Sequence, residues 1–488
     1  LSRLPVADLV VGLQPHGACH TSGVAGAAIE RGGTAAADEK TISRPPRPTR
    51  VSPRSPSGSL PPAATRRALL GCCAAGTVGL AGCSGLSSDS APPLPSDPAD
   101  LVGWPHRFRD LGNTNAAPEG PDALEERWRL RFEGRLSRPL VADGTVLAAA
   151  SGDEGPFRSR VLAFDAATGD RRWAFEPSGV RRCRLASADG DRAYVVAERV
   201  EDGDGQRLYA ADRDAVAWTF EADRITSVVA AGPTVLACVR HGSVVALDAD
   251  DGETITRLHP AGWPGRWLSG STPTARPAVG DGTAFVPFAR HDADAEESYT
   301  DDRVVAFDDG GVAWRTRIEG VRFLDSVTAA GETVYVSTTR RRDAGAENPA
   351  GSLVALDAST GERRWTYSTG RGLASPVAAR PDTVVVAGGR VAALDPETGD
   401  PRWERNGLFG PPVVAGDRTY GRRTDGDFVD TVVAVDLETG DTVGTHSFEY
   451  QLNRAPVFAG GRAIARTLEY EDTDSGSEHV ATRLHALR

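Results

Sequence analysis

The chain has 488 residues, enough for several domains or one long repeat array, and it contains no Met and a single Lys, Lys40. From residue 101 onward it carries 60 acidic and 46 basic side chains, a net charge of −14, against +2 for residues 1–100. So acidic a surface excludes nucleic acid as a partner, because phosphate binding needs a basic footprint.

With Arg as nearly the only cation, the composition suits a protein that stays soluble in high salt, a halophilic pattern that a GC-rich genome also produces. The chain starts at Leu1, and residues 1–50 show no sustained hydrophobic period. Residues 1–64 are read as a disordered or untranslated extension, with Val51 as an alternative start. From Thr65 the text becomes specific: T-R-R-A-L-L-G-C-C-A-A-G-T-V-G-L-A-G-C sets the twin arginine Arg66-Arg67 before an apolar run too short to span a membrane. Twin arginines point to export of folded protein. Leu80-Ala81-Gly82-Cys83 looks like a lipobox, so 65–83 is read as a lipoprotein signal peptide with Cys83 as the lipid anchor; an ordinary cleaved signal is the plainer reading. Residues 84–103, rich in Ser, Pro and Asp, are a solvated tether.

The remainder, 104–488, repeats itself. The stretch S-L-V-A-L-D-A-S-T-G-E-R-R-W (352–365) reads as strand, tight turn and strand. Asp357 folds its carboxylate onto turn amides, Gly361 permits positive φ, and Trp365 offers a large flat surface. Copies stand at 160–173, 207–218, 243–254, 303–314, 390–403 and 431–441, making seven, and 483–488 is the first half of an eighth. Before each copy sits another strand pair around a Gly or Asp turn, as in P-L-V-A-D-G-T-V-L-A (139–148); there are eight of these, at a spacing of about 45 residues, the length of a four-stranded propeller blade. One outer strand is therefore missing at the C-terminus, and E-E-R-W-R-L-R-F (125–132) has its pattern. The prediction is an all-β, eight-bladed propeller whose last blade takes one strand from the start and three from the end, leaving no open edge. Residues 287–303, 339–351 and 470–479 are expected as longer polar loops, where binding surfaces are built.

The motif A-x-D-x-x-T-G-x-x-x-W, fullest at 163–173, 355–365 and 393–403, resembles the repeat of pyrroloquinoline-quinone-type β-propellers, and W-P-H-R-F-R-D-L-G-N-T-N (104–115) is similar to the opening segment of such domains in exported proteins. The resemblance implies that Trp128, Trp173, Trp218, Trp314, Trp365 and Trp403 dock each blade on its neighbour, with Thr256 and Gly444 replacing Trp in two blades. WD-type propellers match less well, since no Trp is followed by Asp.

Two kinds of protein share the fold: quinoprotein dehydrogenases, which use a quinone, calcium and an aspartate base, and non-catalytic lipoprotein scaffolds such as the propeller subunit of the barrel-assembly machinery. The enzyme reading finds little here. Cys72-Cys73 lies in the signal segment, no C-x-x-C-H haem site exists, and Asp165, Asp212, Asp248, Asp308, Asp357, Asp395 and Asp436 are turn residues of the repeat. The 292–302 loop could offer calcium hard oxygens but lacks ordered spacing; the nine His show no metal spacing, and Cys183 and Cys238 read as small buried residues rather than a disulfide. The expectation is an exported, monomeric, lipid-anchored scaffold on the outer face of the cytoplasmic membrane, with no catalytic or metal residues, no cofactor, and envelope proteins as partners at the rim. A quinoprotein alcohol or sugar dehydrogenase with PQQ and Ca is the alternative, and a sensor or polysaccharide-binding subunit a third reading.

Overall fold

The repeat builds its own turn. Strand Gly351–Asp357 is buried up to its terminal Asp and runs antiparallel to Arg363–Ser368, with Ala355 opposite Trp365. Between them Asp357 Oδ1 accepts the backbone N–H groups of Ser359 and Thr360, both at 2.9 Å, and the Asp357 carbonyl accepts that of Gly361 at 2.8 Å. Gly361 then sits at φ +73°, a conformation that a Cβ disfavours. Arg364 Nη2 closes the motif on the second carboxylate oxygen at 2.6 Å. The same Asp-centred turn recurs at Asp165, Asp395 and Asp436, and at Asp248 with Asp250 and Asp251 as donors.

The structure, a computed structural model, describes residues 103–488 except 152–158, 200–204, 241–242, 259–270, 291–302, 309–310, 319–320, 341–350, 371–375, 389, 426–428 and 474–475. Arg66, Arg67, Cys83 and the tether lie outside the described residues, except Gly103, which the structure places in a strand and not in the tether. Eight sheets follow in chain order, each built around four antiparallel strands counted outward from the axis, and Ala116–Ala117 adds a short parallel pairing to the seventh. We number the blades from 1 (residues 135–175) to 8 (451–487). The eighth takes its outermost strand, Glu126–Glu133, from the start of the domain, with Trp128 opposite Ala486. This is the closure that the strand count predicts.

The core lies between blades rather than within them. Seven apolar clusters fill the junctions, for example Val304, Leu324, Val336 and Leu356 between blades 4 and 5, and Leu353, Val384, Val386 and Leu394 between blades 5 and 6. The middle strands are covered on both sides, which is why they read as continuous runs such as V-V-A-L rather than alternating ones. At about 1.5–3 kcal/mol per buried aliphatic side chain, these junctions are what hold the ring together.

One expected loop is a strand pair. Residues 470–479 continue the hairpin of Arg462–Thr473 and Gly476–Leu487, with Tyr470 opposite His479 and their rings edge to face at 5.6 Å. The polar text hid an alternation in which Leu468 and Tyr470 point to one side. Strands Thr283–Arg290 and Thr333–Arg340 likewise run further than the sequence suggested, into the other two expected loops; 291–302 and 341–350 lie outside the described residues.

Because strands alternate in direction outward from the axis, all inner-hairpin turns and all Asp-centred turns fall on one face of the ring. Connections from second to third strand, and from blade to blade, fall on the other. We call these the turn face and the loop face.

Candidate functional site

Five of the six repeat tryptophans donate their indole N–H to a turn of the next blade: Trp128 to Ala166 O at 3.1 Å, Trp218 to Ala249 O and Trp314 to Ala358 O at 2.8 Å, Trp365 to Pro396 O and Trp403 to Leu437 O at 2.9 Å. Each indole also lies over the glycine of that turn; a Cβ at Gly361 would stand 2.5 Å from the Trp314 ring, and at Gly399 2.6 Å from that of Trp365. The Gly of the T-G pair thus answers two demands, a positive φ and room for the neighbour's indole. Trp173 packs half-buried at the junction of blades 1 and 2, where the trimmed turn at Asp212 takes no such bond among the described residues. Thr256 and Gly444 occupy the Trp register, opposite Ala246 and Ala434.

A segment the sequence left without a role closes the axis. Residues 103–117 run round the inside of the ring near the turn face. Gly103–Trp104 pairs with Leu140–Ala142 of blade 1. Then the penultimate ladder residue of five inner strands, those of blades 2, 4, 5, 6 and 7, donates its N–H inward: Ala188 to Pro105 O, Val279 to Leu111 O, Ala329 to Gly112 O, Ala379 to Thr114 O and Val414 to Asn115 O. Asn113 Nδ2 donates to Pro277 O and Val327 O at 3.0 Å, and Asn115 Nδ2 to Pro412 O at 3.1 Å. Both asparagines have positive φ, 59° and 53°, a region Asn tolerates better than most residues and one that bends the segment around the axis. His106 is buried against Ser187 Oγ at 2.5 Å, and Ser187 Oγ also accepts the N–H of Ala230 at 3.1 Å, tying blades 2 and 3 to the segment. Burial, then the charges of Arg276 and Arg109, hold that imidazole neutral. The pair is enclosed and reads as a fastening, not a nucleophile. The bore is stopped at the turn face by this plug.

On the loop-face side of the plug the arginines gather. The innermost strands start irregularly: Arg138 in blade 1 and Arg454 in blade 8 lie where the ladder is interrupted, between Leu136 and Leu140 and between Leu452 and Val457, and Arg184 in blade 2 stands opposite Val196 just before the bulge at Ala186. Arg107 rises from the plug and Arg466 stands on the second strand of blade 8. Arg138 Nη1 donates to Arg107 O at 3.0 Å and its guanidinium lies 5.9 Å over the Trp104 ring. Arg466 donates to Leu136 O and Asn453 Oδ1, and Arg184 Nη2 to Ile225 O at 2.5 Å, so each bridges two blades. Burial first, and then the charge of Arg454, pushes Arg107 and Arg466 down to about 10 and Arg138 to about 9. Arg107 is open to solvent yet surrounded by protein, the condition of a group standing inside a bore. Among the described residues none of these five arginines makes an ion pair. Glu198 lies near enough to Arg184 to act on it, and Asp325, on the inner strand of blade 5, is pushed up to about 6 by burial while accepting Thr339 Oγ1 at 2.5 Å.

Neither plug nor arginines were singled out from sequence. A signal existed: an Arg just ahead of a Pro opens three inner strands, in S-R-P (137–139), A-R-P (275–277) and N-R-A-P (453–456). Elsewhere, Cys183 and Cys238 are free thiols pushed up to about 12 by burial. Among the described residues no helix is long and apolar enough to cross a membrane, and no three of His, Cys, Asp and Glu group as metal ligands would. A polar cleft of 520 Å³ lies on the turn face where the plug leaves the bore, between Gly120, Asp417, Arg418 and Gly461.

Blades, closure and plug together define a PQQ-type β-propeller. The chain matches the family described as outer membrane protein assembly factor BamB over residues 122–215, 157–295 and 240–461, and it belongs to that family. Among solved structures it is similar to quinohemoprotein alcohol dehydrogenases from Comamonas testosteroni (16% identity, TM-score 0.53, covering 79% of this chain and 80% of that one) and Pseudomonas putida (14%, 0.55, 81% and 82%). BamB from Moraxella catarrhalis aligns at 17% identity with a TM-score of 0.46, over 75% of this chain and all of that one. At such identities the likeness is one of fold. No curated protein matches the chain.

Proposed function

We propose that this protein is a non-catalytic interaction scaffold, exported and held by a lipid on Cys83 at the outer face of the cytoplasmic membrane, presenting its loop face to envelope proteins. The observation that carries this reading is the employment of the repeat's carboxylates. Asp165, Asp357, Asp395 and Asp436 each accept two turn N–H groups, and the first three also an Arg, so none is left to act as a base on the axis. A calcium-bound quinone does not fit the described residues: no carboxylate cluster stands at the bore, and the two thiols sit on strands of different blades. Membership of a family described by an assembly factor agrees with the scaffold reading.

The test is to supply purified protein with quinone and calcium and follow dye reduction by alcohols or sugars. The scaffold gives none; turnover replaces it with the dehydrogenase reading. Co-purification from gently solubilised membranes should bring down a defined envelope partner. For the anchor, Cys83→Ser should move the protein from membrane to medium, and retention in the membrane would sink the lipid.

A further inference from the structure

We infer that the arginine-lined part of the bore is a binding site for a small polyanion, a compact molecule carrying two or more carboxylate or phosphate groups. The inference goes beyond the scaffold reading and does not depend on it. Four elements of three adjacent blades and the plug send Arg107, Arg138, Arg184, Arg454 and Arg466 to one place, although each guanidinium there repels the others. The choice of Arg over Lys means nothing in a chain whose only Lys is Lys40; the placement does. Elsewhere on this protein arginines stand beside carboxylates, as Arg364 does with Asp357 at 2.6 Å and Arg402 with Asp395 at 3.0 Å. Among the described residues no ion pair forms in the bore, and the one nearby carboxylate is Glu198 beside Arg184.

Arg138 Nε is buried with no hydrogen-bond partner, and Arg454 makes no hydrogen bond or ion pair among the described residues. A buried donor left unmet loses its hydration for nothing, and a cluster of like charges stores repulsion that an anion with several negative groups would release at once. The low-dielectric wall concentrates the field of these cations toward the bore, while the acidic exterior repels whatever anionic chain stays outside it. That combination favours a short ligand over a polymer. Entry is from the loop face, since the plug's main chain stops the bore at the turn face. The arginines also sit where blade copies disagree. Arg184 and Arg454 stand five residues before the last ladder residue of their inner strands, Asp189 and Ala459, and Asp325 holds that place before Ala330 in blade 5, across the ring.

Calorimetric titration of the full chain at low chloride with citrate, and separately with pyrophosphate, tests this. One saturable site for at least one of them is expected, and the pair tells a carboxylate ligand from a phosphate one. Arg454→Gln should weaken it by about tenfold or more, the loss of a charge-assisted contact. Because Arg454 holds no protein group, the same change should leave the ligand-free Tm unchanged or raise it, and abolish the Tm gain that citrate or pyrophosphate gives the wild type. Arg364→Gln, on the turn face, should bind as the wild type does. Absence of saturable heat with both anions overturns the proposal, as does undiminished binding by Arg454→Gln. Saturable binding of pyrroloquinoline quinone with both simple anions silent overturns it in favour of a quinone site.

Discussion

The two faces of the ring obey different rules. On the turn face five copies converge on one solution, Asp for the amides and Gly for the φ and the indole, and in three of them an Arg takes the remaining carboxylate oxygen. On the loop-face side of the plug the same strands begin irregularly, and arginines appear in some blades and not in others. Uniformity marks what every blade needs to hold its neighbour. Departure from it marks what the molecule needs once. Residues with many copies are therefore a guide to stability, and residues without copies are the guide to function.

The sharpest way to test this division is to change a turn glycine. Gly361→Ala meets both positive φ and the Trp314 ring, and should destabilise by about 4 kcal/mol, combining backbone strain with overpacking. Gly331→Ala, at φ +56° with nothing within 4 Å of the new Cβ, should lose only about 1 kcal/mol. Equal losses by thermal melting would remove the role given to the indole. Next comes the plug. Asn113→Ala strips a hydrogen bond from Pro277 O and another from Val327 O and should lower stability by about 2 kcal/mol in denaturant titration; a change within error would show that the plug is not fastened by that side chain.

The smallest effect is that of acid. The hydroxyl of Ser359 and then Arg364 hold Asp357 well below the usual carboxylate range; Arg172 does the same first for Asp165, and Arg402 for Asp395. Carboxylates held low when folded bind fewer protons than the unfolded chain, so their contribution is complete above about pH 4 and is lost as pH falls through their folded values. Tm should decline below that point, and less steeply in a variant with Asp165, Asp357 and Asp395 all changed to Asn. Since these groups are largely solvated, the decline is modest. Identical acid profiles would take the turns out of the account.

Much of the fold was legible because repetition multiplies a weak signal: one hairpin at 352–365 says little, but seven and a half copies against eight inner hairpins dictate the blade number and the closing strand. The 470–479 hairpin was missed because its alternation is carried by Leu468 and Tyr470 among charged neighbours. The site was missed for a different reason. Lining up the copies treats Arg138, Arg184 and Arg454 as scatter, since most blades carry another residue at those places, and what brings them together is the curvature of the ring. The 104–115 segment has no period at all, so its wrapping of the bore is invisible until the inner strands that it touches are in place.

That wrapping also sets how the protein folds. Asn115 fastens to Pro412, 297 residues further along, and Glu126–Glu133 pairs with the final strand, Gly476–Leu487. A chain emerging from synthesis carries its plug and its closing strand long before it carries their partners, so the earliest segments wait for the latest. Contacts at such separation make folding slow and leave completion to one late event that engages every blade. The reverse journey is equally demanding. To loosen the plug is to release bonds that run to most of the blades, so the folded ring is defended by the height of its unfolding barrier as well as by its depth.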